Sequence, residues 1–187
     1  RFKRYLSAVG LFGIGDFSHS LLILAATQLL TGQMGVVRAA QVAGMLYVWR
    51  NIVQVALSYP VGVLADRFGS LPVLIVGYVL GVLTAVMTAL AFWFGIDSQL
   101  SLSAIFSIAG VYMAVQEAME STVTAGMVSG EMLAMSFGAL GTVNGTGKLV
   151  SSSLVGVLWT VVSPVIGFGL AALLMAAGTM ALLRVGK

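Results

Sequence analysis

The 187-residue chain has no cysteine, a single histidine and only 8% charged residues. Without cysteine it has no disulfides, no thiolate metal ligands and no cysteine nucleophile. A typical soluble domain has about a quarter of its residues charged. A chain with so little charge cannot cover a surface that faces water, so an ordinary soluble domain is excluded.

The chain is instead rich in apolar residues, at 59% of the total. A helix needs about 20 apolar residues to cross a bilayer, and this length allows about six crossings. The sequence therefore predicts an all-α membrane protein with six transmembrane helices in one domain, residues 1–187, with the lipid bilayer as its solvent. The predicted spans are 6–31, 40–64, 71–94, 101–128, 133–158 and 164–184.

Short stretches with turn residues separate the predicted spans. Because these connections are short, consecutive helices should pack as antiparallel neighbours. No linker or soluble insertion suggests a second domain. The predicted breaks are at 31–33, 66–70, 95–98, 129–131 and 163–164.

The basic residues predict the orientation in the membrane, because loops on the cytoplasmic side carry an excess of Lys and Arg. If the N-terminus is inside, only Arg38 falls in an outer loop. Both termini are then cytoplasmic, in a bacterial-type inner membrane or a membrane derived from it. The basic residues form no patch on a polar face, so no nucleic-acid partner is expected. The inner set is Arg1, Lys3, Arg4, Arg67, Arg184 and Lys187.

Ionisable residues inside the predicted spans are candidates for a functional site, because a charge at mid-bilayer is costly. They occur in the first, second, fourth and fifth spans, which should line a polar interior. The third and sixth spans have none and should support the others or face lipid. The predicted substrate and proton pathway consists of Asp16, His19, Arg50, Glu117, Glu120 and Lys148.

Four of these six residues form two pairs with i,i+3 spacing, which places both members on one helix face. Asp16 and His19 form the first pair, and Glu117 and Glu120 form the second. Paired carboxylates or a histidine can carry a proton. The alternative is that acids and bases compensate one another and only fix helix packing, although a structural network of six charges would be expensive.

The stretch 62–69, GVLADRFG, resembles the signature loop of the major facilitator superfamily, G-x-x-x-D-R-x-G. The resemblance implies a gating loop, in which the glycines allow close packing and a tight turn, and the aspartate accepts hydrogen bonds at a helix N-terminus. The basic pair that follows in the family is replaced by Ser70 and Leu71. The matching residues are Gly62, Asp66, Arg67 and Gly69.

The rest of the chain resembles the C-terminal half of this family, helices seven to twelve. Residues 12–19 resemble the opening of the seventh helix, 46–60 the eighth, 116–120 the tenth and 136–159 the eleventh. The resemblance implies two inverted three-helix repeats, 1–97 and 98–187. It also implies an N-terminal half as partner, in the same polypeptide or a separate chain, with a second copy as the alternative. The chain starts with Arg rather than Met, which favours a piece of a longer polypeptide.

The leading functional hypothesis is a secondary transporter that moves a small solute or ion by alternating access, with proton coupling. A second hypothesis is transport of a hard metal cation such as iron, with Asp16, His19, Glu117 and Glu120 as ligands. A third is a non-transporting membrane module for assembly with other subunits. No enzyme activity and no cofactor are expected, because no nucleophile–base pair or cofactor motif is found.

Overall fold

A computed structural model describes residues 1–186. These residues form seven α-helices and a short 3-10 helix, with no strand among them, which confirms the predicted all-helical class. The helices are α1 (Phe2–Gly13), α2 (His19–Met34), α3 (Val36–Phe68), α4 (Ser70–Phe94), α5 (Gln99–Met127), α6 (Leu133–Val161) and α7 (Pro164–Val185), and the 3-10 helix is Gly130–Met132.

The first predicted span is not one helix but two, and the break lies at residues 14–18. Ser18 caps α2 by accepting a hydrogen bond from the backbone N–H of Ser20. At the break, Gly15 lies so close to α7 that a Cβ atom there would stand 2.5 Å from the carbonyl oxygen of Ala171. The broken backbone is therefore held by a tertiary contact that only glycine permits.

The other breaks are close to their predicted positions, with two shifts. The first predicted break, 31–33, lies inside α2, and the chain turns instead at Gly35, with φ 78°. In the 66–70 stretch only Gly69, with φ 89°, leaves the helical conformation. Left-handed backbone of this kind favours glycine. The breaks at 95–98, 129–131 and 163–164 do separate helices, and Pro164 begins α7.

The helices pack around α4 and α5, which lie against each other. α4 also packs on α7, α3 packs on α5 and α2, and α1 packs on α6 and α7. The rings of Phe12 and Tyr78 stack with centroids 3.7 Å apart and join α1 to α4. Gly13 and Gly147 bring α1 and α6 into backbone contact, since a Cβ atom on Gly147 would lie 2.9 Å from the Gly13 carbonyl carbon. Such close approach is typical of helices in lipid.

Three helices are both long and apolar enough to cross a membrane: α4, α5 and α7, with mean hydropathies of 2.4, 1.4 and 2.1. The protein is therefore a helical membrane protein with three candidate spans on these criteria, where the sequence predicts six. α3 and α6 are also long, with 33 and 29 residues. α1 and α2 are too short to cross alone, with 12 and 16 residues.

The first and last described helices meet at one end of the bundle. Arg1, Arg4 and Arg184 line the same cavity, with a volume of about 430 Å³. The turn between α3 and α4 lies at this end too, because Gly186 is in contact range of Leu71. Most of the arginines assigned to the inner side by the sequence are thus gathered at one end.

Candidate functional site

Two acidic residues lie buried in the middle of the bundle and are joined by an amide. Asp16, Gln116 and Glu120, here called the acidic network, are 4%, 5% and 4% exposed. The Gln116 Nε2 atom donates to Asp16 Oδ2 at 3.3 Å and to Glu120 Oε1 at 3.1 Å. One side chain of α5 therefore links the carboxylate at the α1–α2 break to the carboxylate one turn further along α5.

Neutral donors from three further helices surround Glu120. The Tyr78 hydroxyl donates to Oε1 at 2.7 Å, and the Asn144 amide donates to Oε2 at 2.5 Å. The Tyr5 hydroxyl donates to the Glu120 backbone carbonyl at 3.0 Å. Within residues 1–186 no Lys, Arg or His lies at ion-pair distance from Glu120. Its charge is therefore balanced by hydrogen bonds rather than by a cation.

Asp16 differs from Glu120 because it has a cationic partner. Lys148 Nζ lies 3.5 Å from Asp16 Oδ2, and this is the one ion pair among the described residues. The Lys148 side chain is 36% exposed while that of Asp16 is 5% exposed. The pair therefore has one end in the protein interior and the other at an accessible surface.

That accessible surface is a cavity between α5 and α6 of about 380 Å³. It is open on one side, and polar side chains form much of its wall. The buried acidic network is thus reachable from an open cavity through Gln116 and Glu120. The polar lining residues are Gln116, Glu117, Glu120, Ser121, Asn144 and Lys148.

A second polar group, the arginine cluster of Arg50, His19, Asn51 and Tyr47, lies between α2 and α3. Arg50 is only 3% exposed. Its Nη1 donates to Asn51 Oδ1 at 2.6 Å, and its Nη2 lies 3.2 Å from His19 Nε2. Because Arg has donors only, the His19 nitrogen must be the acceptor. The guanidinium also lies over the Tyr47 ring, 5.5 Å from its centroid.

In the structure the members of each predicted i,i+3 pair have separate partners, although Glu117 and Glu120 line the same cavity. Asp16 lies in the α1–α2 break and His19 begins α2, so they do not share one helix face; Asp16 contacts Lys148 and His19 contacts Arg50. Glu117 and Glu120 do share α5, but Glu117 is exposed and accepts from Gln54 Nε2 at 2.7 Å, while Glu120 is buried. Each of the four residues has a different partner.

The metal hypothesis requires the same four side chains to converge on one point. Within the described part of the chain no three His, Asp or Glu residues come together in a group that could hold a metal ion. The donors are instead divided among the acidic network, the arginine cluster and the Gln54–Glu117 contact. The structure does not assemble the ligand set that this hypothesis proposed.

The stretch that resembles the signature loop is mostly helical. Asp66 and Arg67 are exposed residues in the last turn of α3, and Gly69 makes the turn into α4. α4 has no side-chain cap, so Asp66 does not fill the capping role expected of it. Around Gly62 a Cβ atom would meet nothing within 4 Å, so Gly62 makes no close helix contact within residues 1–186.

Sequence reasoning missed the uncharged residues that organise the site, because it selected only ionisable ones. These residues were detectable, since amides and phenols inside apolar helices also need partners when buried. The Gln116–Glu120 spacing of i,i+4 in particular places both on one face of α5. The missed residues that contact candidate residues are Tyr5, Tyr47, Asn51, Gln54, Tyr78, Gln116 and Asn144.

Comparison with known proteins gives one distant similarity. The chain is 28% identical over 162 residues to an uncharacterised MFS-type transporter of Methanocaldococcus jannaschii, where MFS denotes the major facilitator superfamily. The alignment covers 85% of this chain and 38% of that relative. No protein-family model matches the chain, and no solved structure matches it significantly.

The similarity supports membership of the major facilitator superfamily. Together with the apolar helices it supports a membrane location. The relative's name denotes a transporter. The chain spans well under half the length of this relative.

Proposed function

We propose that the chain is a six-helix half of a secondary transporter of the major facilitator type, which moves a small solute by alternating access with proton coupling. α1 and α2 together form the first span, broken at residues 14–18, and α3 to α7 form the other five. A helix rises about 1.5 Å per residue, so α3 and α6 are long enough to cross. The 38% coverage of the distant relative supports a partial transporter unit.

The broken first span supports the transport role. In transporters, discontinuous helices lie at the binding site, where the exposed backbone and side chains meet the solute. Here Asp16 is in the break and His19 follows it directly. The partner is then a further set of helices, in the same polypeptide or another chain. The arginine-rich end of the bundle faces the cytoplasm in this proposal.

The observation that carries the proposal is Glu120, a buried carboxylate in the wall of an open cavity. It is held by three neutral side-chain donors, Tyr78, Gln116 and Asn144. Since no described cation pairs with it, gain of a proton breaks no ion pair. Glu120 is therefore the proton-carrying group in this proposal, and Gln116 joins it to the Asp16–Lys148 pair.

The test uses full-length protein in liposomes loaded with a pH-sensitive dye. A panel of small solutes is added outside, and solute-driven proton movement is recorded. Glu120→Gln keeps the size of the side chain but cannot bind and release a proton. We expect it to abolish proton movement, a loss of at least about a hundredfold, while solute exchange in the absence of a pH gradient persists.

The matched control is Glu131→Gln, an exposed glutamate in the connection between α5 and α6. It should transport as the unsubstituted protein does. Proton movement that survives Glu120→Gln would overturn the coupling role of Glu120. If folded protein moved no solute of the panel, the non-transporting assembly module would replace transport as the better hypothesis.

A further inference from the structure

The predicted spans contain two cationic residues, Lys148 and Arg50, which differ in burial and in ion pairing. Lys148 is paired with Asp16 and is partly exposed. Arg50 is buried and has no carboxylate at ion-pair distance within residues 1–186. Its Nε atom is buried without any hydrogen-bond partner. A buried cation without a counter-charge is costly, so Arg50 requires an explanation that Lys148 does not.

The nearby acids do not serve as its counter-ion, because they are engaged elsewhere. Glu117 and Asp16 act on Arg50 only from beyond contact distance. Glu117 is bound by the Gln54 amide, and Asp16 is bound by Lys148 and Gln116. The guanidinium therefore has only neutral contacts: the oxygen of Asn51, the ring nitrogen of His19 and the face of Tyr47.

The backbone adds positive charge at the same place. α2 begins at His19, the residue that Arg50 contacts, and the N-terminus of a helix carries a partial positive charge. The start of α2 lies at the break of the first span, inside the bundle. The His19 side chain thus brings the buried guanidinium near a helix N-terminus, where the nearby carboxylate of Asp16 is already bound by Lys148 and Gln116. That arrangement is one that binds anions.

We propose that Arg50 binds an oxyanion of the transported solute, a carboxylate or a phosphate group, at the start of α2. The two outer nitrogens, Nη1 and Nη2, form the planar fork that carboxylates and phosphates bind with two parallel hydrogen bonds. Asn51 and His19 now occupy that fork as neutral acceptors. An oxyanion is a stronger acceptor and displaces them.

The more accessible side of this fork is the side of its neutral partners. His19 and Asn51 are half-buried, and Ser20 is exposed. The far side of α3 is closed, because α5 lies directly against it: a Cβ atom on Gly110 would stand 2.6 Å from the Arg50 carbonyl oxygen. The solute therefore approaches past His19 and Asn51, from the α2 side.

This inference rests on the proposed transport function, whose substrate class it names, but its test is binding rather than transport. Full-length protein in detergent is melted with lactate, succinate or inorganic phosphate, and with lactamide and succinamide as uncharged counterparts of the first two. At least one oxyanion should raise Tm with saturation, and the matching amide should not. Selectivity for phosphate over the carboxylates, or the reverse, assigns the source of the oxyanion.

Three variants assign the effect to Arg50. Arg50→Gln should weaken the apparent Kd of the stabilising anion at least about tenfold. Arg50→Lys should lie between, because it keeps the charge and loses the fork. Arg38→Gln, an exposed arginine on the same helix, should bind as the unsubstituted protein does. The Tm of each variant without ligand shows whether that variant is folded.

Three results would overturn the proposal: no stabilisation by any of the three anions, equal stabilisation by the amides, or an affinity that Arg50→Gln leaves unchanged. A loss that occurs in Lys148→Gln instead would move the anion to the other cation and also overturn it. The proposed function fails separately, if Glu120→Gln still couples solute to proton movement. Anion binding at Arg50 could survive that result.

Discussion

The acidic network and the arginine cluster are both buried between helices, but they differ in how their charges are partnered. Asp16 and Glu120 are surrounded by donors from α1, α4, α5 and α6, and one of them has a cation. Arg50 has two neutral acceptors, an aromatic ring and one unpartnered nitrogen. Both carboxylates of the first group have partners within the described chain, although Gln116 Oε1 has none, whereas the cation of the second group has no negative partner there.

The comparison shows that charge balance in the sequence does not predict charge pairing in space. Three acids and two bases in the predicted spans nearly cancel. In the structure one cation takes one acid, and the second cation takes none. A network in which every charge is partnered supports a structural and proton-holding role. A buried charge without an opposite charge supports a ligand site, since desolvated charge without a partner is otherwise unfavourable.

The largest effect should come from breaking the acidic network at its centre. Gln116→Leu removes the amide that donates to both carboxylates, so the acceptor oxygen of each buried carboxylate loses one donor and keeps its other partner, Lys148 or Tyr78. We expect a loss of about 3 kcal/mol in the free energy of unfolding, measured by equilibrium denaturation in mixed micelles. Gln99→Leu, at the exposed start of the same helix, is the control. Equal stability of the two variants would show that Gln116 does not hold the network together.

Removing each cation should change the free energy of unfolding by a smaller amount. We expect Lys148→Gln to lower it and Arg50→Gln not to lower it. Lys148→Gln leaves Asp16 buried without its counter-charge. Because the Lys148 side chain is 36% exposed, solvent screening reduces the cost to about 1 kcal/mol. Without carboxylates or phosphate in the buffer, Arg50→Gln removes an unpaired buried charge. It should leave the free energy of unfolding unchanged or raise it.

Melting both variants in Tris–chloride buffer, without carboxylates or phosphate, checks the signs. A clear loss of stability in Arg50→Gln would mean that Arg50 already has its counter-charge in the folded protein. The two regions would then not differ in this respect, because both Lys148 and Arg50 would stabilise the fold. The same measurement with a stabilising anion should reverse the order for Arg50, since only the unsubstituted protein gains from binding.

The sequence predicted which helices carry the site better than how the site is connected. Charged residues in four of the six predicted spans identified the α1–α2 unit, α3, α5 and α6, and all four contribute to the polar groups described above. A charge in an apolar span must turn away from lipid, and this rule holds without knowledge of the fold. The third span was underrated, because α4 supplies the uncharged Tyr78 to Glu120.

The connections depended on tertiary contacts that periodicity cannot show. Asp16 and His19 were paired on one helix face, but the helix breaks between them, where Gly15 lies against the α7 backbone at Ala171. The local signals for this break are Gly13, Gly15 and the capping residue Ser18. They are common in apolar helices of this length and do not by themselves locate a break. The separate partners of Glu117 and Glu120 likewise depend on Gln54 of α3 and Tyr78 of α4, two helices that the fold packs against α5.

The smallest effect should separate two buried tyrosines that look alike in the sequence. The Tyr78 hydroxyl donates to Glu120. By contrast, the buried Tyr112 hydroxyl lies near Asp16 but makes no hydrogen bond of standard geometry within residues 1–186. Tyr78→Phe should therefore cost about 1 kcal/mol, and Tyr112→Phe should cost nothing or stabilise slightly. Both rings stay in place, so the difference in unfolding free energy reports the hydroxyl alone. A greater loss in Tyr112→Phe would mean that its hydroxyl is bound in solution, and the acidic network would then extend beyond Glu120.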